Sequence, residues 1–187
     1  MTDDTLRTRA HADATVRRGA PASEQLSVRG VFTIRCVGPD GREKWRDTIH
    51  NLVTTAGKDD LLDKYLKGAA YTQTVVMGLK GTGTAVVGDT QASHAGWLEV
   101  GLANAPTYTG PRKVVTMNAA AAGSSSSPTQ AFAMTGAGTV AGCFVNNGGA
   151  TTIDGTTGVL FSAGDFSTGN KVVSSGDTID VTYSLSV

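Results

Sequence analysis

The sequence predicts a mainly β chain: an antiparallel β-sandwich of jelly-roll type with one α-helix and an extended N-terminal arm. Three observations carry this. Short apolar or alternating segments recur at near-regular spacing, joined by connections rich in Gly, Ser, Thr and Asn. Only one stretch, near residues 55–67, has a clear helical pattern. The first 27 residues are polar, carry charges of both signs and show no apolar periodicity. At 187 residues the chain fits one domain, so we divide it into an arm (1–27) and a sandwich (28–187).

The arm, ending in "GAPAS" and a few polar residues, cannot bury enough apolar area alone to offset its ordering entropy. It is expected to become ordered only against a neighbouring subunit. From Val28, "VRGVFTIRCV" alternates, with Val31, Thr33, Arg35 and Val37 on one face and Phe32, Ile34 and Cys36 on the other. "GPDG" is a turn by residue type, and "REKWRDTI" returns as the second strand of a hairpin.

The helix follows. Thr54 or Thr55 can cap it, Asp59 and Asp60 suit its first turns, and Gly68 can end it. Leu61, Leu62, Tyr65 and Leu66 form one apolar stripe, expected to plug an end or face of the sheet. Further strands are expected at 73–79, 97–102, 112–117, 130–135, 138–146, 158–163 and 177–186. In the last, Ile179, Val181, Tyr183 and Leu185 alternate with polar residues. The low-complexity run at 119–130, "AAAAGSSSSPTQ", reads as a surface loop.

Charge is unevenly placed although it sums to zero. Residues 1–67 carry 12 Lys/Arg and 10 Asp/Glu, whereas residues 68–187 carry only 4 and 6. Ordinary soluble domains are about 25% charged. The longer segment must therefore build its surface from neutral polar residues, which suits packing against neighbours. Zero net charge gives nucleic acid or an anionic membrane no electrostatic attraction. No apolar run approaches a bilayer span, and the N-terminus has no secretory h-region.

The chemistry-bearing motifs favour structure. Gly81 and Gly83 form a G-x-G, but Val86 stands where the third glycine belongs and no helix follows. A loop between strands is expected there. "AGKDD" at 56–60 lacks the glycine and hydroxyl residue of a phosphate loop. His11, His50 and His94 are dispersed and neither cysteine has a C-x-x-C partner, so no metal and no cofactor are expected. Cys36 and Cys143 read as buried free thiols.

The segment "VGDTQASHAGW" (87–97) holds a serine and a histidine. Ser93 and His94 are adjacent and so point apart, and no G-x-S-x-G occurs, which argues against a nucleophile–base pair here. A corner is expected instead. Asp89 or Thr90 caps a single helical turn, "TQASHA", and His94 bonds the loop backbone. Gly96 breaks the turn, and Trp97 points into the core against Leu61, Leu62 and Tyr65. "GD" recurs at 88–89, 164–165 and 176–177, as turns would use it. No catalytic residue is assigned, and no enzyme activity is expected.

The segments "NLVTTAGKDDLLDKYL", "GDTQASHAGWLEV", "TVAGCFV", "TTGVLFSAGDF" and "SGDTIDVTYSLSV" resemble a group of small virion proteins of tailed bacteriophages, encoded among head and tail structural genes. The resemblance spans residues 50–187 and omits the arm. It implies a non-enzymatic β-sandwich component of the particle, made in the host bacterial cytoplasm and carried in the virion. The expectation is a capsid decoration (cement) protein that contacts the major capsid protein or other virion subunits, and itself. The alternative is a tail or fibre module binding a host receptor or glycan, with Trp45, Tyr71, Trp97 and Tyr108 as a sugar platform.

Overall fold

The computed structural model describes residues 27–70 and 74–187. The predicted arm, apart from Ser27, lies outside the described residues, as does Tyr71. The described residues are mainly β, as the sequence predicts, with one α-helix and a large antiparallel sheet among them. Among the described residues, no helix is long and apolar enough to cross a membrane.

The first hairpin is β1 (Arg29–Val37) and β2 (Glu43–Val53). Phe32, Ile34 and Cys36 of β1 are buried and Thr33 and Arg35 are exposed, so the alternation of apolar residues sets the faces. β1 also pairs along its whole length with the last strand, β12 (Thr178–Ser186), from Arg29↔Ser186 to Val37↔Thr178. Between them lie α1 (Thr55–Tyr65), β3 (Val75–Gly83), β4 (Trp97–Val100), β5 (Lys113–Val115), β6 (Ser124–Ser126), β7 (Gln130–Ala133), β8 (Gly138–Val140), β9 (Gly142–Asn147), β10 (Val159–Asp165) and β11 (Lys171–Val173).

The main path runs β4-β3-β9-β10-β2-β1-β12-β6, with β5 also on β3 and β7 also on β12; β8 and β11 form a separate pair. β2 joins the two halves. Eight of its first nine residues pair with β1, Lys44 being left out at a bulge, while Leu52 and Val53 pair with Ala163 and Ser162 of β10. One core cluster takes Phe32 and Ile34 from one half and Leu79, Cys143 and Val145 from the other, so the sheet is folded on itself like a sandwich.

Several expectations are corrected. The run 138–146 is two strands, broken at Ala141, whose amide bonds Lys80 O while β8 turns away to pair with β11. The 119–130 run is not only a loop: Ser124–Ser126 pair with the end of β12. The G-x-G is no loop either, because β3 continues through Gly83.

The helix also departs from expectation. Thr54 is its N-cap and accepts from Gly57 N at 3.0 Å. Yet the face it buries is Gly57, where a Cβ would lie 2.3 Å from Phe161 O. Leu61 packs partly on the core, but Leu62, Tyr65 and Leu66 are 49%, 86% and 72% exposed. The stripe does not plug the sheet. It borders an open groove.

Candidate functional site

The 87–97 segment is a corner, though not a helical one. Thr90 and Ser93 close it by mutual backbone bonds at 2.9 and 3.2 Å, and Thr90 Oγ1 accepts from Ser93 N. Asp89 Oδ2 accepts from Val86 N and from the Trp97 indole, both at 2.9 Å. His94 Nδ1 lies 3.1 Å from Trp97 O, and its ring stacks on Trp97 with centroids 4.0 Å apart. Ser93 and His94 thus serve the turn and the indole respectively. Gly83 and Gly96 let the two ends of the loop pinch together: a Cβ on Gly83 would lie 1.9 Å from Gly96 O.

Trp97 is buried, but not against α1. It packs with Phe144, Leu160 and Ala163, a second cluster distinct from the main core. Neighbours in sequence show why. On β9, Cys143 and Val145 enter the main core while Phe144 points to the opposite face. The corner therefore roofs the outer face of β3, β9 and β10, and this half of the sheet is covered on both sides.

Under that roof lies a layer of charge that sequence reasoning missed. Arg112, fully buried, donates from Nε and Nη2 to Glu99 at 2.8 and 2.6 Å, and to the carbonyls of Ala150 and Gly155. Its guanidinium sits 5.4 Å from the Phe144 ring centroid. Lys80, also fully buried, donates to Gly81 O and Gly83 O and meets Asp165 Oδ1 at 2.5 Å. Gln91 reaches from the corner to Gly155 O. Two of the four cations in residues 68–187 are therefore withdrawn from the surface. The sparse charges were visible in the sequence; their inward direction was not.

Of the three Gly-Asp pairs, 176–177 is a turn, with Gly176 at φ +88° and Asp177 Oδ2 accepting from Ser174 N. Gly88-Asp89 opens the corner. Gly164-Asp165 instead lies inside β10, where a Cβ on Gly164 would lie 2.3 Å from an Ile49 methyl. Cys36 and Cys143 are buried and unpaired, and burial pushes the Cys36 thiol up to about 11.

Of the aromatic residues considered for sugar binding, the three among the described residues do not converge. Trp97 is in the second cluster and Tyr108 stands edge-on to Phe132 in the main core. Trp45 leans on Phe166 and donates to Val172 O.

Two depressions stand out among the described residues. One, of about 690 Å³, lies over β1, β2 and β12 and is polar. Its charges are all partnered: Arg35 pairs with Asp180, Arg46 with Glu43, and Asp47 is held by Ser167, Thr168 and Lys171. The other, about 790 Å³, runs between α1 and the open end of the sandwich. Leu62, Tyr65 and Leu66 form one wall; Val75, Phe161 and Leu185 are among the residues of the other. Contiguous exposed apolar surface of this kind marks a contact site. Compared with protein-family models, curated proteins and solved structures, the chain matches none.

Proposed function

We propose that this chain is a non-enzymatic structural subunit of a bacteriophage virion, a decoration protein that stabilises the capsid shell. The observation that carries this reading is the disposal of charge. Lys80 and Arg112 are fully buried and paired, leaving residues 68–187 a surface dominated by Gly, Ser, Thr and Ala. Such a surface packs against neighbours at little desolvation cost. The apolar groove beside α1 adds a place where contact is favourable.

The action is mechanical. Apolar area buried between subunits contributes about 25 cal/mol per Å² and opposes outward pressure on the shell. Residues 1–27 serve as a strap to a neighbouring subunit, whether the major capsid protein or another copy. No residue is assigned a catalytic, metal or cofactor role.

Stoichiometry in purified particles tests the reading. A decoration protein stands in a simple ratio to the major capsid protein on a quantitative gel. A ratio matching tail components would instead favour the receptor- or glycan-binding module.

A further inference from the structure

The geometry points to condensation of Lys80 with Asp165: an isopeptide bond that joins β3 to β10 across β9. The inference rests on this pair alone and needs neither the virion reading nor the arm.

The sheet holds the two groups together before any reaction. Lys80 pairs with Gly142 and Gly142 pairs with Asp165, so both side chains rise from one face with only a glycine between them. Lys80 Nζ lies 2.5 Å from Asp165 Oδ1. Oδ1 is enclosed and nevertheless has no hydrogen-bond partner, so this contact lacks hydrogen-bond geometry. Nζ donates instead to Gly81 O and Gly83 O, which leaves one of its three protons for the carboxyl group. Trp97 and Phe144 belong to the same roofed face, and Nζ lies 5.7 Å from the Trp97 ring centroid. An amine fixed in van der Waals contact with a carboxyl group, on paired strands, has the proximity that turns a slow bimolecular condensation into an intramolecular one.

The chemistry balances within the pair. Enclosure strips both charges of water, which brings the neutral amine and acid closer in energy to the ion pair. One ammonium proton passes to Oδ1, and the freed lone pair of Nζ attacks Cγ. Negative charge develops on Oδ2, which accepts from Ala85 N at 3.4 Å. A second Nζ proton passes to Oδ1, the Cγ–Oδ1 bond breaks, and Oδ1 leaves as water through the side on which Asp165 is 37% exposed. Ammonium and carboxylate give one amide and one water, with no oxidant and no other reactant. Glu99 stands opposite Lys80 on β4, but its carboxylate is held by Arg112, so the protons move between Lys80 and Asp165 themselves. The single N–H left on the amide keeps Gly83 O as its acceptor. Before condensation the contact is an ion pair, and a substitution at either residue forfeits the link equally.

The test is the mass of the full-length protein, held folded at neutral pH and then denatured. The expected mass is one water below that of the sequence, and proteolysis should release a branched peptide that joins the segments carrying Lys80 and Asp165. Lys80→Met, which lacks the nucleophile, should keep the full mass. The branched peptide from the unsubstituted chain decides the matter even where Lys80→Met folds poorly. Full mass in the folded, unsubstituted protein would overturn the inference and leave the pair ionic. So would a loss of water that persists in Lys80→Met, or one that mild base reverses, which marks a succinimide at Asp40-Gly41 or Asp154-Gly155.

Discussion

Lys80 reaches Asp165 across a strand that places no side chain between them. Lys80 pairs with Gly142 on β9, Gly142 pairs with Asp165 on β10, and the ammonium and carboxylate meet at 2.5 Å above the bare glycine. The ammonium is fully enclosed, while the carboxylate side chain is 37% exposed. The two halves of the pair are therefore unequal. Asp165→Asn strands a buried cation, whereas Lys80→Met leaves a carboxylate that water can reach. Breaking a buried pair costs about 3–5 kcal/mol. We expect Asp165→Asn near that range, Lys80→Met below it, and the double variant to recover part of the loss in chemical denaturation. Equal losses would contradict this account.

Gly57 offers a test of sign. Ala at an exposed helical site normally gains about 1 kcal/mol over Gly. At 57 the new methyl would lie 2.3 Å from Phe161 O, so we expect Gly57→Ala to lower the melting temperature.

Trp97 anchors the second cluster, and His94 covers it. Truncating a buried aromatic costs about 3–5 kcal/mol, so Trp97→Ala should yield poorly folded protein. His94→Ala, which removes one stacking contact and one loop hydrogen bond, should cost about 1 kcal/mol. A Trp97→Ala protein with an unchanged thermal melt would refute the buried-anchor reading.

Acid should unfold the chain partly through Asp47. Burial alone would raise its carboxyl, but hydrogen bonds from Ser167, Thr168 and Thr48 outweigh that and hold it at about 2. A carboxyl lowered on folding stabilises the native state above its unfolded value, near 4. That contribution fades as pH falls toward 2. We expect stability to decline across this window, and Asp47→Asn to flatten the decline, as read by denaturant midpoints against pH.

Deleting residues 1–26 should leave the sandwich folded, because β1 and the core begin beyond them. On the proposed decoration role, it should also weaken incorporation into particles, measured by the copy number retained.

The hairpin and the last strand were legible in the sequence because only one face of each meets the core: Phe32, Ile34 and Cys36 alternate with exposed residues, and so define register. β6 and β11 were not. Ser124–Ser126 has weak strand propensity and pairs because the end of β12 lies beside it. The facing of Trp97 was illegible for another reason. β3, β9 and β10 are buried on both sides, so their continuous apolar runs mark no inner face, and a corner above them can serve either. The helix misled through its stripe, since Leu62, Tyr65 and Leu66 have the spacing of a core contact but border the groove. The candidate site thus lay in residues the sequence singled out, under a different assignment.

The flanking of β1 by β2 on one side and β12 on the other bears on how the domain would resist a pull applied through the proposed strap. Hydrogen bonds of antiparallel ladders lie perpendicular to the strands. A pull on the arm along β1 therefore loads both ladders in shear, and many bonds must yield together. A pull between the arm and the C-terminus is different. Arg29 and Ser186 are paired neighbours at the same end, so that force opens the β1–β12 ladder one bond at a time, like a zip. A tether through the arm alone would anchor the domain in its stronger direction; a second attachment at Val187 would expose the weaker one.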